Sequence, residues 1–211
     1  MEESAGTTAV RMNLQQHANR DDFKVWLSEQ EVPRLLEAAP NASAKIAFGL
    51  GAYCGLRSFE IAKVQPSDVH DSDAGRILRI IGKGDKYREV PVGQDIATQI
   101  QTAADFRDEP DTYPIVQSQS SSRTVPTRTL RRWLAAAARS VAKETGDNAW
   151  NYLSMHDLRR TWATNLAAAG VDPMILLSWG GWSDIETFRQ AYRGEYAPSA
   201  HRREREKVDW L

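Results

Sequence analysis

The apolar spacing of this chain changes period once, and that change limits what it can fold into. On either side of residues 76–92 apolar residues recur at helical spacing. Within that stretch, Arg76-Ile77-Leu78-Arg79-Ile80-Ile81 and Tyr87-Arg88-Glu89-Val90-Pro91-Val92 read as two strands. They are joined by Gly82-Lys83-Gly84-Asp85-Lys86, a glycine-rich tip that carries lysine, so the segment predicts a β-hairpin. The expected class is mainly α with a small antiparallel β-sheet, an α+β domain.

The helices have readable boundaries. Residues 1–22 are polar and aperiodic and are expected to form a flexible leader or linker, with order starting near Phe23–Leu27. Ser28 and Glu31 have capping-box spacing, and the helix they open should bury Val32, Leu35 and Leu36, with Pro33 tolerated in its first turn. A helix from about Ser43 to Tyr53 carries Ile46, Ala47, Leu50 and Tyr53 on one side and stops at Gly55. A short helix over Ser58–Val64 follows. After the hairpin come a helix near Asp95–Ala104, a surface loop over 105–126 and a long helix from Thr127. Another helix runs from His156 to about Ala169 and ends at Gly170. Asp172-Pro173 is an N-cap and N1 pair for a short helix through Trp179. Ser183 and Glu186 form a second capping box, opening a helix that carries Tyr192.

Charge and cysteine content narrow the function classes. Lys and Arg total 27 against 28 Asp and Glu, a net charge of −1, which excludes a uniformly basic nucleic-acid coat. Any DNA binding has to come from local cationic patches. The single cysteine, Cys54, excludes an internal disulfide and a cysteine-rich zinc site, and four scattered histidines make no metal cluster. No apolar run approaches the roughly 20 residues of a membrane span, and MEESAGTTAV lacks the regions of a signal peptide. The expected setting is the cytoplasm.

Taken singly, the candidate site residues are weak signals. Arg57 at a helix junction and Lys83 or Lys86 at a hairpin tip are ordinary surface positions. His156 and Arg159 share a helix face, as residues of any amphipathic helix do. Together they carry a resemblance. Tyr53-Cys54-Gly55-Leu56-Arg57-Ser58-Phe59-Glu60-Ile61 is similar to the first arginine box of the tyrosine recombinases, or phage integrases. Gly82-Lys83-Gly84-Asp85-Lys86-Tyr87-Arg88-Glu89-Val90-Pro91 resembles that family's catalytic-lysine hairpin. His156-Asp157-Leu158-Arg159 resembles its His-x-x-Arg box, and Gly181-Trp182-Ser183-Asp184 followed by Tyr192 resembles its nucleophile box. The motifs occur in the family's order across residues 25–196.

The resemblance implies a tyrosine recombinase catalytic-domain fold over 23–197 and a tail over 198–211 that docks on a neighbouring protomer, with Trp210 and Leu211 as its anchor, the alternative for that tail being a frayed amphipathic end. It implies site-specific recombination of double-stranded DNA. Tyr192 attacks phosphorus to give a 3′-phosphotyrosine, with Tyr196, one turn further on, as its competitor. Arg57 and Arg159 clamp the non-bridging oxygens, because guanidinium forks match phosphate and stay charged. Lys83 protonates the departing 5′-oxygen, with Lys86 as the alternative lysine. His156 exchanges a proton with the tyrosine or the phosphate, and Trp182 donates its indole N–H or packs on Tyr192. Glu60 is expected to orient His156 or an arginine, or else to form a plain surface ion pair. Lys86, Arg88, Arg128, Arg131 and Arg132 are expected to line the DNA groove. The covalent link conserves the phosphodiester energy, so neither ATP, nor a metal, nor any other cofactor is implied. The implied partner state is a monomer in solution and a tetramer on DNA, with nucleoid association.

Three departures from the pattern motivate other readings. Tryptophan stands at Trp182 where the family often has histidine, and the spacing to Tyr192 is one residue longer than the common one. No segment before residue 23 resembles the family's N-terminal clamp domain. A DNA-binding module without catalysis and a relaxing type IB topoisomerase are therefore the alternatives. The target sequence, the direction of recombination and the viral, plasmid or chromosomal role are not written in the residues.

Overall fold

The computed structural model of the chain describes residues 13–16, 23–82, 86–118, 121–183, 202 and 205–207. Strands β1 (Asn13–Gln16) and β2 (Phe23–Trp26) pair antiparallel. The helical layer follows with α1 (Glu31–Glu37) and α2 (Ala42–Cys54), then α3 (Ser58–Ile61). A three-stranded antiparallel sheet comes next, in the order β3 (Val69–Ser72), β4 (Gly75–Ile81), β5 (Tyr87–Pro91). Helix α4 spans Gln94–Asp105, a small β6 (Gln117–Ser118) and β7 (Ser121–Thr124) pair follows, and α5 (Thr127–Thr145) is the longest helix described. A 3-10 turn over Asn148–Tyr152 leads into α6 (Met155–Ala169) and α7 (Pro173–Gly180).

One core holds these elements together. Phe48 and Leu50 of α2, Leu130 and Leu134 of α5, Trp150, and Leu158 of α6 are almost fully buried within it. Each such side chain contributes roughly 1.5–3 kcal/mol by leaving water. Leu78, Ile80 and Val90 of the sheet join the same core. Their neighbours Ile81, Tyr87 and Glu89 face solvent, the one-sided alternation of an antiparallel sheet.

The helix signals mostly mark real ends. Glu31 Oε2 accepts from the Ser28 backbone N–H at 2.7 Å, but only this half of the expected capping box forms: the Ser28 hydroxyl has no partner, and the helix starts at Glu31 after an N-cap at Gln30. Gly55 ends α2 with φ +64°, and an added Cβ there would lie 2.2 Å from the Trp162 ring. Only glycine suits both demands. Asp172 accepts from Met174 N–H at 2.7 Å, capping α7.

Four expectations are corrected. The stretch 1–22 is not wholly a leader, because Asn13–Gln16 form a strand on β2. The sheet gains a third strand, β3, and the 105–126 loop contains the β6–β7 pair; both segments are short and polar, so their pairing is set by neighbours and not by apolar alternation. Tyr53 is 41% exposed rather than on the buried side of α2. The readings placed on 184–201, including the Tyr192 helix, and on most of the tail, including Trp210 and Leu211, lie outside the described residues. Among the described residues no helix is long and apolar enough to cross a membrane.

Candidate active site

Helix α6 brings its two candidate residues to the site by fixing the residues between them elsewhere. Asp157 is buried and accepts from the backbone N–H and the hydroxyl of Ser154 at 2.9 and 2.5 Å, and from Val25 N–H at 3.3 Å. It also pairs with Arg160. Thr161 Oγ1 accepts from Leu27 N–H at 2.9 Å. These bonds tie β2 to α6 and set the helix rotation, so His156 and Arg159 face the opposite way, into an open cleft.

That cleft has a volume of about 650 Å³ and is lined by Arg57, Arg131, His156 and Arg159, with Ser58, Thr127 and Ser154 among the other lining residues. Arg57 caps the short α3. Its Nη1 donates to Glu60 Oε1 at 3.0 Å and its Nη2 to the Gly181 carbonyl at 3.4 Å. Arg159 is 3% exposed. Its two terminal nitrogens donate to the carbonyls of Gly55 and Gly180, each at 2.6 Å, and its guanidinium carbon lies 4.1 Å from the Trp182 ring centroid. Trp182 stacks in turn on Trp162 at 6.1 Å, 16° from parallel. A Cβ at position 180 would lie 1.7 Å from the Trp182 ring, so glycine is needed for that close approach. Trp182 thus shapes the wall behind Arg159 through a cation–π contact.

Electrostatics distinguish the titratable groups. Partial withdrawal from water, then the nearby Arg160, hold the His156 pKa below its ordinary value; Asp157 opposes them, and Arg159 and Arg57 add to the lowering. His156 is therefore mostly the neutral imidazole at neutral pH. Burial works to raise the Glu60 pKa, but bonds and charge from Arg88 and Arg57 outweigh it and hold the carboxyl below the usual range. Burial pushes the Cys54 thiol up to about 12, so this cysteine is a buried packing residue. Among the described residues no three His, Cys, Asp or Glu side chains are grouped to hold a metal.

The structure thus brings Arg57, His156 and Arg159 together with Arg131, and places Glu60 and Trp182 in contact with them. Glu60 is no surface pair: its side chain has no solvent exposure. Arg88 is the clear correction. Expected in the DNA groove, it is only 9% exposed, and its Nη1 and Nη2 donate to the two Glu60 oxygens at 2.8 Å each. Alternation along β5 turns its side chain inward. Lys86, Arg128 and Arg132 are exposed but do not line the cleft, whereas Arg131 does. Lys83 and Tyr192 lie outside the described residues. Sequence reasoning missed the carbonyls of Gly55 and Gly180 and the Trp162 wall, for which no side-chain motif could have been a signal.

Comparison with known proteins places this geometry. The Phage integrase family model matches residues 25–197. A tyrosine recombinase XerA of Thermococcus kodakarensis is 30% identical over 166 residues, covering 76% of this chain and 55% of the relative. The chain spans about half the length of the curated relatives it matches. A crystal structure of XerA recombinase superposes with a TM-score of 0.67 at 24% identity, covering 87% of this chain and 64% of that one. The XerH site-specific recombinase bound to difH substrate gives 0.64 at 18% identity, covering 88% and 54%. These likenesses extend the fold across nearly the whole chain. With the family model covering every box from the first arginine to the tyrosine segment, the chain belongs to the phage integrase family and carries its tyrosine recombinase catalytic domain.

Proposed function

We propose that this chain cuts and rejoins double-stranded DNA at specific sites through a covalent 3′-phosphotyrosine. The observation that carries this reading is the convergence of Arg57, His156 and Arg159 on one open cleft, from elements far apart in sequence. Two guanidinium groups beside a neutral imidazole suit a phosphodiester whose non-bridging oxygens gather charge as an oxygen nucleophile attacks. Tyr192 is the nucleophile and Lys83 the acid that protonates the 5′-oxygen; a 5′-hydroxyl of a partner strand then attacks the phosphotyrosine and reseals the bond. The exchange conserves bond energy and uses neither ATP nor a metal. DNA is the partner, as it is for the Tn1549 transposon integrase in its complex with transposon right end DNA. The exposed Lys86, Arg128 and Arg132 follow the duplex backbone beside Arg131. The chain works in the cytoplasm, as a monomer off DNA and a tetramer on it, with the tail over 198–211 docked on the neighbouring protomer.

Nicked DNA carrying the recombination site tests this. Wild-type protein should leave a covalent complex that survives denaturation; Tyr192→Phe should abolish it and Tyr196→Phe should not. Loss in Tyr196→Phe alone moves the nucleophile, and no complex from wild type leaves a binding module.

A further inference from the structure

The buried side of the first arginine box contains a group that the strand-transfer chemistry does not use directly. Glu60 has a side chain with no solvent exposure and lies directly behind Arg57, whose side chain is 31% exposed towards the cleft. Both carboxylate oxygens are engaged. Oε1 accepts from Arg57 Nη1 at 3.0 Å and from Arg88 Nη1 at 2.8 Å. Oε2 accepts from the Arg57 backbone N–H at 2.7 Å and from Arg88 Nη2 at 2.8 Å. One carboxylate therefore aims Arg57, while a second, buried guanidinium closes it from behind.

We propose that Arg88 is a positioning residue for the strand-transfer site: it cancels the Glu60 charge, so that Glu60 can aim Arg57 without neutralising it toward phosphate. The inference rests on the reading of the cleft as a phosphodiester site. Arg57, Glu60 and Arg88 together carry a net charge of +1, and the group that reaches the cleft is Arg57. Remove Arg88, and a carboxylate 3.0 Å from Arg57 leaves the unit neutral just where an anionic phosphate has to bind. Charges buried from water are poorly screened, so the loss would be felt across the few ångströms to the cleft. A surface acid would not have this effect, because solvent would damp it.

Arg88 also ties three parts of the site to one guanidinium. It sits on β5, the strand that leaves the lysine-bearing hairpin. Its terminal nitrogens hold the carboxylate of α3, and its Nε donates to the Trp179 carbonyl near the end of α7 at 2.9 Å. The next two carbonyls of that chain end, Gly180 and Gly181, accept from Arg159 and Arg57. Three successive carbonyls thus bind three arginines, from the hairpin and the two arginine boxes. The negative end of the helix dipole favours this arrangement.

Single-turnover covalent-complex formation on nicked DNA, with saturating protein, tests the charge role. Arg88→Met should slow cleavage on the order of 100-fold. The double variant Glu60→Gln with Arg88→Met restores the net charge of +1 and should recover at least about tenfold of that loss. Arg88→Lys, which keeps the charge and loses the fork, should fall between wild type and Arg88→Met. A wild-type rate in Arg88→Met overturns the proposal. So does a loss that the double variant leaves unrecovered, or one that only follows the fall in melting temperature across the variants, since a structural brace would behave so. Wild-type protein that forms no complex overturns the strand-transfer reading itself, an outcome distinct from the other three.

Discussion

The two arginine boxes deliver the same functional group by opposite means. Arg57 stands at the start of a four-residue helix, about a third exposed, and is aimed by one buried carboxylate. Arg159 sits in the second turn of α6, 3% exposed, and bridges the ends of α2 and α7 through two carbonyls while lying over Trp182. The first is a presented side chain and the second is a tie between helices that also faces the cleft. Losing Arg57 should therefore affect chemistry first, and losing Arg159 should affect chemistry and folding together.

The strongest way to break this contrast is Arg159→Met. It strands two buried carbonyls and two charge-assisted hydrogen bonds, so stability should fall by about 3–5 kcal/mol, read by denaturant melts, and covalent-complex formation should disappear with it. A stability loss below 1 kcal/mol would put Arg159 in the same class as Arg57. Next comes Gly55→Ala, which touches no substrate. The positive φ and the Trp162 ring together predict a loss of about 2–4 kcal/mol, and because the Gly55 carbonyl holds Arg159, cleavage should fall more than for an equally destabilised variant elsewhere in the core. Arg57→Lys should be the mirror image: the charge beside Glu60 remains but the fork is lost, so cleavage drops on the order of 100-fold while stability moves by less than about 1 kcal/mol.

The smallest effect is a pH shift. The His156 pKa is held below the ordinary histidine value of 6.5, so the folded state binds fewer protons there than the unfolded chain. Its contribution to stability is fully present above pH 6.5 and is lost as pH falls through the folded pKa. The acid limb of the cleavage profile should accordingly lie below pH 6.5 if neutral His156 is the active form. Arg160→Gln removes the second-ranked cause of that lowering and frees Asp157 to oppose the rest, and should move the limb upward. An unmoved limb would assign the titration to another group.

Which parts of this were legible beforehand follows from what each signal depends on. Helix ends at Gly55, Gly170 and Asp172 could be read from the chain because caps are local, involving residues a few positions apart. The α6 face was legible for the same reason, since three-residue spacing fixes which side chains point together. The strand β3 was not, because Val69–Ser72 is held by pairing to β4 and has no alternation of its own. Arg88 was misassigned because a basic residue beside a hairpin tip reads as surface until the partner on its inner face is known.

The sequence by itself determined the ordered boxes, the mainly helical class with one small sheet, and the residue types able to bind phosphate without a metal. Those properties depend on local spacing and on side-chain chemistry. Only the tertiary structure decided which cations share a cleft and which are spent inside the protein. It set Arg131 in the cleft and left Arg128 and Arg132 outside it, buried Arg88 against Glu60, and gave Arg159 the Gly55 and Gly180 carbonyls. The physical reason is that a charge acts according to its distance and its exposure to water. Both are set by contacts between residues distant in the chain, such as the 28 positions separating Glu60 from Arg88.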